Sequence, residues 1–369
     1  MSNFNMLDQL LDYSCRELQL SPTNHGEADT RYHAVSAWLS AAESPLYAYD
    51  PVIYPQGSFR IGTTVYPIGR NEHDLDFVCE MNVDWSRTSA VSALDAVEQR
   101  LRAHGTYAPM VERKKRCIRL NYAGAFHMDI LPAAPETVGN GTKVRVPDRK
   151  LEAWTPSNPK GYADWFEERG RLLGTTLLKD AQIEPMPALQ LAHEKTPLQR
   201  AVQLIKRARD RYFVRDPEGA PRSIVLTTLA GHAYGKQPST AQALHDILAS
   251  VNELAGKSPY GLEVRNPANS QEIISEHWMA DVAAYDAFRR WLQWFAAEWD
   301  KVLNAGSVQA TERQLSMLFG DEIVKAALRR HTADVETLRK SGRLNVTRAG
   351  ALTGAAGVSV VRPNTFYGK

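Results

Sequence analysis

Apolar side chains recur at helical spacing over residues 2–19, where Phe4, Leu7, Leu10, Leu11 and Leu18 fall on one side. Asn24-His25-Gly26 is expected to break that pattern, and a second helix to run from about Glu27 to Ala42 with Tyr32, Val35 and Leu39 inward. Val52-Ile53-Tyr54 reads as a short strand leading into Gly57-Ser58. Thr63-Thr64-Val65 is expected in a short helix after that turn, closed by Pro67-Ile68-Gly69. Residues from about His73 to Glu80 alternate as a strand. Ser89 to His104 repeats Val91, Leu94, Val97 and Leu101 as a helix, and Gly105 ends it. Arg116 to Tyr122 and Phe126 to Leu131 read as strands, and Val144-Arg145-Val146 as an edge strand before Pro147.

From about Pro156 the period becomes helical. Tyr162, Trp165 and Phe166 form one face. Leu198 to Phe213 is amphipathic, with Leu198, Val202, Ile205 and Tyr212 as the buried stripe and Gln203, Lys206 and Asp210 on another face. Ser223 is placed to cap a helix over Ile224 to Tyr234. Val282 to Leu303 is a long core helix, whose Trp291, Trp294 and Trp299 read as core, and a last helix lies near Ile323 to Arg330. These elements predict an α+β chain: a small mixed β-sheet with helices over residues 1–155, a helical lobe over 156–338, and a flexible tail over 339–369.

Composition narrows the function little. The 369 residues suffice for two domains, and the net charge of +2 supplies no broad basic field for duplex nucleic acid. Cys15, Cys79 and Cys117 are scattered, with no Cys-x-x-Cys pair, so neither a zinc knuckle nor a disulfide framework is expected. With no basic-then-apolar leader and no apolar run of about 18 residues, the expected setting is reducing and cytoplasmic, away from membranes.

Candidate chemistry concentrates in Gln56 to Asp76. Asp74 and Asp76 lie two apart on a strand and so project from one face, while Leu75 and Phe77 project from the other. Paired carboxylates repel each other and favour a hard divalent cation such as Mg²⁺. The Gly57-Ser58 turn offers backbone N–H groups and a hydroxyl to phosphate oxygens. If the Phe126–Leu131 strand lies beside the first, Asp129 completes a three-carboxylate cluster able to hold two metal ions, with His127 on the same face.

Gln56-Gly57-Ser58, Asp74-Leu75-Asp76 and Met128-Asp129-Ile130-Leu131-Pro132 resemble the nucleotidyltransferase superfamily with the DNA polymerase β-like fold. Within it, the chain is similar to the bacterial cyclic-oligonucleotide synthases (CD-NTases) related to cyclic GMP-AMP synthase. Leu204 to Asp210 resembles that family's helix bearing a triphosphate-binding lysine, and Ser223 to Leu229 its serine-headed helix. The resemblance implies template-independent synthesis of a cyclic di- or trinucleotide from ATP and/or GTP, with release of pyrophosphate and the active site in the cleft between the lobes. It implies that Asp74, Asp76 and Asp129 bind two Mg²⁺ ions, which Mn²⁺ can replace, and that Gln56, Gly57, Ser58, Lys206 and Ser223 hold nucleotide. It also implies an anti-phage (CBASS) setting in which the product activates an effector; a cyclic GMP-AMP-type product is the expectation. Animal DNA sensors of the group carry a zinc thumb of His and Cys that this sequence lacks, so no nucleic-acid activator is expected.

Blander readings stand beside these. Asp-x-Asp decorates many turns, Lys206 also reads as a solvated helix lysine, and Ser223 as a cap alone. Arg60 reads equally as a phosphate contact or an ion pair, and His73 as a surface group. The alternatives in function are a linear nucleotidyltransferase acting on RNA or protein and a catalytically silent nucleotide-binding module. Phe366-Tyr367-Gly368-Lys369 is a candidate attachment point for conjugation or accessory proteins.

Overall fold

The apolar face of the Asp74–Asp76 strand determines where that strand sits. In the computed structural model, which describes residues 2–68, 73–122, 126–171, 183–346, 352–353 and 359–360, Leu75, Phe77 and Cys79 are at most 1% exposed. They pack beneath a seven-stranded mixed sheet against Tyr32, Val35, Leu39, Leu94, Val97 and Leu101. The sheet's central ladder comprises β1 (Val52–Pro55), β2 (His73–Glu80), β3 (Val111–Arg113), β4 (Ile118–Tyr122) and β5 (Phe126–Pro135) in the order β1-β2-β5-β4-β3. β6 (Val144–Asp148) pairs with β5, and β7 (Ala153–Ser157) with β6. β2 and β5 run parallel; the other neighbours run antiparallel.

The helices α1 (Ser2–Leu18), α2 (Pro22–Ser40), α3 (Gly57–Arg60) and α4 (Ala90–Arg102) interleave with these strands. The helical lobe follows as α5 (Pro159–Gly170), α6 (Pro197–Tyr212), α7 (Ser223–Ala233), α8 (Thr240–Lys257), a hairpin of β8 (Arg265–Asn266) and β9 (Asn269–Ile273), α9 (Glu276–Ala280), α10 (Val282–Leu303), α11 (Val308–Phe319) and α12 (Asp321–Lys340). Its core is aromatic: Trp278, Trp291, Trp299, Phe288 and Phe295 are fully buried. Among the described residues no helix is long and apolar enough to cross a membrane.

Several sequence expectations need correction. Asn24-His25-Gly26 does not break a helix. Ser21 caps α2 by accepting from Asn24 N at 3.1 Å, and Pro22 fills its first turn. α1 belongs by packing to the helical lobe and not to the 1–155 unit, because Leu7, Leu10 and Leu11 join the α6–α8 core. Thr63-Thr64-Val65 is irregular; the short helix is α3, and Gly62 at φ +67 turns the chain out of it. Tyr212 is 39% exposed, whereas Gln203 and Lys206, expected on a polar face, are buried. The last helix runs ten residues past Arg330, to Lys340. Within the expected tail, β10 (Asn345–Val346), β11 (Leu352–Thr353) and β12 (Ser359–Val360) pair as a small sheet. Phe366–Lys369 lies outside the described residues.

Phe77→Ala is expected to cost about 3–5 kcal/mol by denaturant unfolding, since the ring has no exposed surface. A loss near zero would mean that the core face of β2 does not hold the strand in place.

Candidate active site

The parallel β2–β5 ladder sets Asp76 directly beside Asp129, and Asp74 beside His127. The three carboxylates therefore meet on one face, as parity predicts once the two strands are neighbours. Above them the chain leaves β1 at Gln56, whose backbone N–H donates to Asp76 O at 2.8 Å. Gly57 then turns at φ +64, in a region that favours glycine. A Cβ there would stand 2.5 Å from Asp76 Oδ2, so the turn can lie this close to the carboxylate only as glycine.

A cavity of about 550 Å³ opens at this point, between sheet and helical lobe. Gln56, Gly57, Ser58, Asp74, Asp76, Lys206 and Ser223 all line it. Asp129 adjoins Asp76 by register but does not form part of the cavity wall. Its carboxylate is gripped from behind by Arg119 of β4, which donates from Nε to Oδ1 and from Nη2 to Oδ2, each at 2.7 Å. The same Nη2 reaches Asp74 Oδ1 at 3.3 Å. Sequence reasoning missed Arg119. The signal was its place on a strand antiparallel to β5, opposite Asp129, and only the pairing register makes that visible.

Lys206 donates from Nζ to Thr63 O at 3.2 Å and Thr63 Oγ1 at 3.0 Å. Burial pushes its pKa down to about 7; the nearby Arg209 acts in the same direction, while Asp210 and Asp76 oppose it. An ammonium so poorly solvated lacks a strong anionic partner, and phosphate oxygens would supply one. Ser223 is not the cap of α7: Arg222 holds that position without a side-chain bond, and Ser223 Oγ accepts from Arg209 Nη1 at 2.5 Å. Arg209 and Asp210 also line the cavity; the sequence pattern set Asp210 on the same face as Lys206 but did not single out Arg209. Arg60 faces away, in ion pairs with Glu167 and Asp164. The side chain of His73 lies outside the described residues.

Whether a divalent cation suits the trio turns on charge. Burial pushes Asp76 up to about 8, and Asp129 and Asp74 add to this; Arg119 and Lys206 oppose it without cancelling it. Among the described residues no three His, Cys, Asp or Glu side chains already form a metal cage, and Arg119 holds both oxygens of Asp129. The donor set is nonetheless all hard oxygen and has one member on the cavity's open side, since the Asp74 side chain is 59% exposed. These residues fit Mg²⁺ or Mn²⁺.

Comparison with known proteins gives the family. Residues 5–170 match the model of the Second Messenger Oligonucleotide or Dinucleotide Synthetase domain. The chain is 33% identical over 368 residues to a c-di-GMP synthase of Roseivirga ehrenbergii, covering 98% of this chain and 97% of that one. It is 29% identical to the cyclic dinucleotide synthase CdnG of Bradyrhizobium diazoefficiens, covering 95% and 91% respectively. Among solved structures, CdnG of that organism in complex with GTP superposes with a TM-score of 0.71 at 25% identity, over 88% of this chain and 99% of that chain.

Two outcomes are expected from this geometry. Between about pH 4 and pH 8 folded Asp76 keeps a proton that the unfolded chain has released. Unfolding free energy measured in EDTA should therefore fall as pH rises through that window, and Asp76→Asn should flatten the slope. Arg119→Met frees Asp129 and removes a competing cation. Mn²⁺ titrated into the nucleotide-free protein and followed by electron paramagnetic resonance should bind on the order of tenfold more tightly; unchanged affinity would count against the Arg119 grip.

Proposed function

The chain belongs to the second messenger oligonucleotide or dinucleotide synthetases, and from that premise we propose that it condenses GTP into a cyclic dinucleotide, releasing pyrophosphate in each of two steps. The observation that carries this reading is the meeting of Asp76 and Asp129 under Gly57, with Lys206 on the wall of the same cavity. The donor nucleotide's triphosphate lies against the Gln56-Gly57-Ser58 turn, where Ser58 Oγ and backbone N–H groups meet its oxygens. Lys206 gains the anionic partner it lacks, and its charge offsets that of the leaving pyrophosphate. Arg209 and Ser223 extend the same grip. Asp129, once Arg119 yields one of its two oxygens, would orient the acceptor hydroxyl and draw off its proton. Two Mg²⁺ ions held by Asp74, Asp76 and Asp129, or Mn²⁺ in their place, would lower the acceptor hydroxyl's pKa and neutralise charge building on phosphorus.

The first nucleotide is then re-seated as acceptor, and a second transfer closes the ring. A c-di-GMP synthase among the relatives moves the expected product from a mixed guanine–adenine ring to an all-guanine one. The near-neutral chain supports synthesis without added DNA or RNA. We place the product upstream of an effector in anti-phage defence.

Labelled GTP incubated with the protein and Mg²⁺ should yield a phosphatase-resistant cyclic dinucleotide, identified by mass spectrometry. Asp74→Asn combined with Asp76→Asn should lower synthesis by at least about 10³-fold while the protein still melts cooperatively. Synthesis retained in that variant, or label appearing only in linear products, would refute the reading.

A further inference from the structure

A second polar cluster lines the same cavity and takes no part in the chemistry above. It comprises Ser157 at the end of β7, Asn266 of β8, Glu272 of β9, and Arg116 just before β4. Glu272 Oε1 accepts from Ser157 Oγ at 3.1 Å, and Oε2 accepts from Asn266 Nδ2 at 2.7 Å. The hairpin bearing this carboxylate is tied to the β7–α5 junction: Asn158 Nδ2 donates to Ala268 O at 3.0 Å, and Asn269 Nδ2 to Ser157 O at 3.2 Å. Glu272 is therefore a carboxylate aimed by neutral donors, without a salt bridge of its own among the described contacts. Burial pushes its carboxyl up, opposed by the bonds from Asn266 and Ser157 and by the charge of Arg116. Arg116 is anchored in turn by the fully buried Asp148, to which Nε donates at 3.1 Å, and by Glu276, which Nη2 reaches at 3.4 Å.

A carboxylate accepts and a guanidinium donates, so the two together select a base edge carrying donors next to acceptors. Guanine presents two adjacent donors, N1–H and the 2-amino group, with O6 and N7 as acceptors beside them. Adenine presents an acceptor at N1 next to its 6-amino donor, cytosine likewise at N3, and uracil a single N–H between two carbonyls. Only guanine offers one carboxylate two neighbouring donors. Adenine in the same seat would set its N1 lone pair against the carboxylate and its 6-amino group toward the guanidinium.

We propose that Glu272 reads guanine in this cavity, accepting from N1–H and the 2-amino group, with Ser157 and Asn266 holding the carboxylate in place and Arg116 facing O6 and N7. The assignment rests on the cyclic-dinucleotide reading for the presence of a base here, and it supplies the chemistry by which that base is chosen.

Inosine triphosphate, which is GTP without the 2-amino group, isolates the contact. With Ca²⁺ in place of Mg²⁺, the full chain should bind GTP about tenfold more tightly than inosine triphosphate and about a hundredfold more tightly than ATP. Glu272→Gln should bring the GTP-to-inosine ratio close to one while the melting temperature stays within a few degrees. A structural role alone would weaken all three nucleotides together and leave the ratio unchanged. A wild-type ratio near one, or a ratio preserved in Glu272→Gln, would overturn the assignment. Should that variant not fold, Asn266→Ala, which releases one carboxylate oxygen, should still lower the ratio, and an unchanged ratio there would be equally fatal. Absence of cyclic product from every triphosphate would instead defeat the proposed function, a result that the binding ratio does not depend on.

Discussion

Placing Asp76 and Asp129 side by side on neighbouring parallel strands is electrostatically costly, and much of the sheet can be understood as what makes it tolerable. The opposite face of β2 and β5 carries Leu75, Phe77, Met128 and Ile130, each at most 1% exposed. Register is fixed from that side, because a one-residue slip would turn each of these side chains out of the core. The carboxylates are thus forced together by hydrophobic packing beneath them. Arg119, bonded to two of the three, relieves part of the repulsion from the β4 side. What it leaves uncompensated is charge that the proposed metal ions would balance.

The helical lobe answers with the opposite charge. α6 is amphipathic in the ordinary sense, yet its apparent polar side is not a solvated face. Gln203 donates to Thr64 O at 2.7 Å, Lys206 to Thr63, and Arg207 to Phe319 O at 2.9 Å. The irregular segment at Thr63-Thr64 supplies the backbone carbonyls that hold Gln203 and Lys206. From α6, Lys206 and Arg209 bring cationic side chains to the cavity wall.

How much of this was legible beforehand depended on the range of the interaction. Local patterns sufficed for the strands bearing Asp74, Asp76 and Asp129, for the core faces of α4 and α10, and for the glycine turn at Gly57. The resemblance to the cyclic-oligonucleotide synthases was carried by short motifs that lie within single elements. Arg119, Arg209 and the Ser157–Asn266–Glu272 cluster were not legible, because each draws its meaning from a partner on another element. The short β8–β9 hairpin has no hydrophobic period to announce it. Ser223 had a local reading as a cap that the actual start of α7 supersedes, and Asn24-His25-Gly26 reads as a breaker although Ser21 and Pro22 start α2 just before it.

α1 and α12 meet although they stand near opposite ends of the sequence. Tyr13 Oη donates to Asp334 Oδ2 at 2.5 Å, Glu17 pairs with Arg330, and His331 Nε2 lies 2.9 Å from Gln9 Oε1. The first helix thus braces the lobe that is completed last in the chain. During synthesis on the ribosome, the nucleotidyltransferase sheet can assemble as soon as β7 emerges, whereas α1 must wait with its leucines uncovered until α6 and α8 follow. The two halves would mature in sequence, and the seam between α1 and α12 would close after the cleft is built.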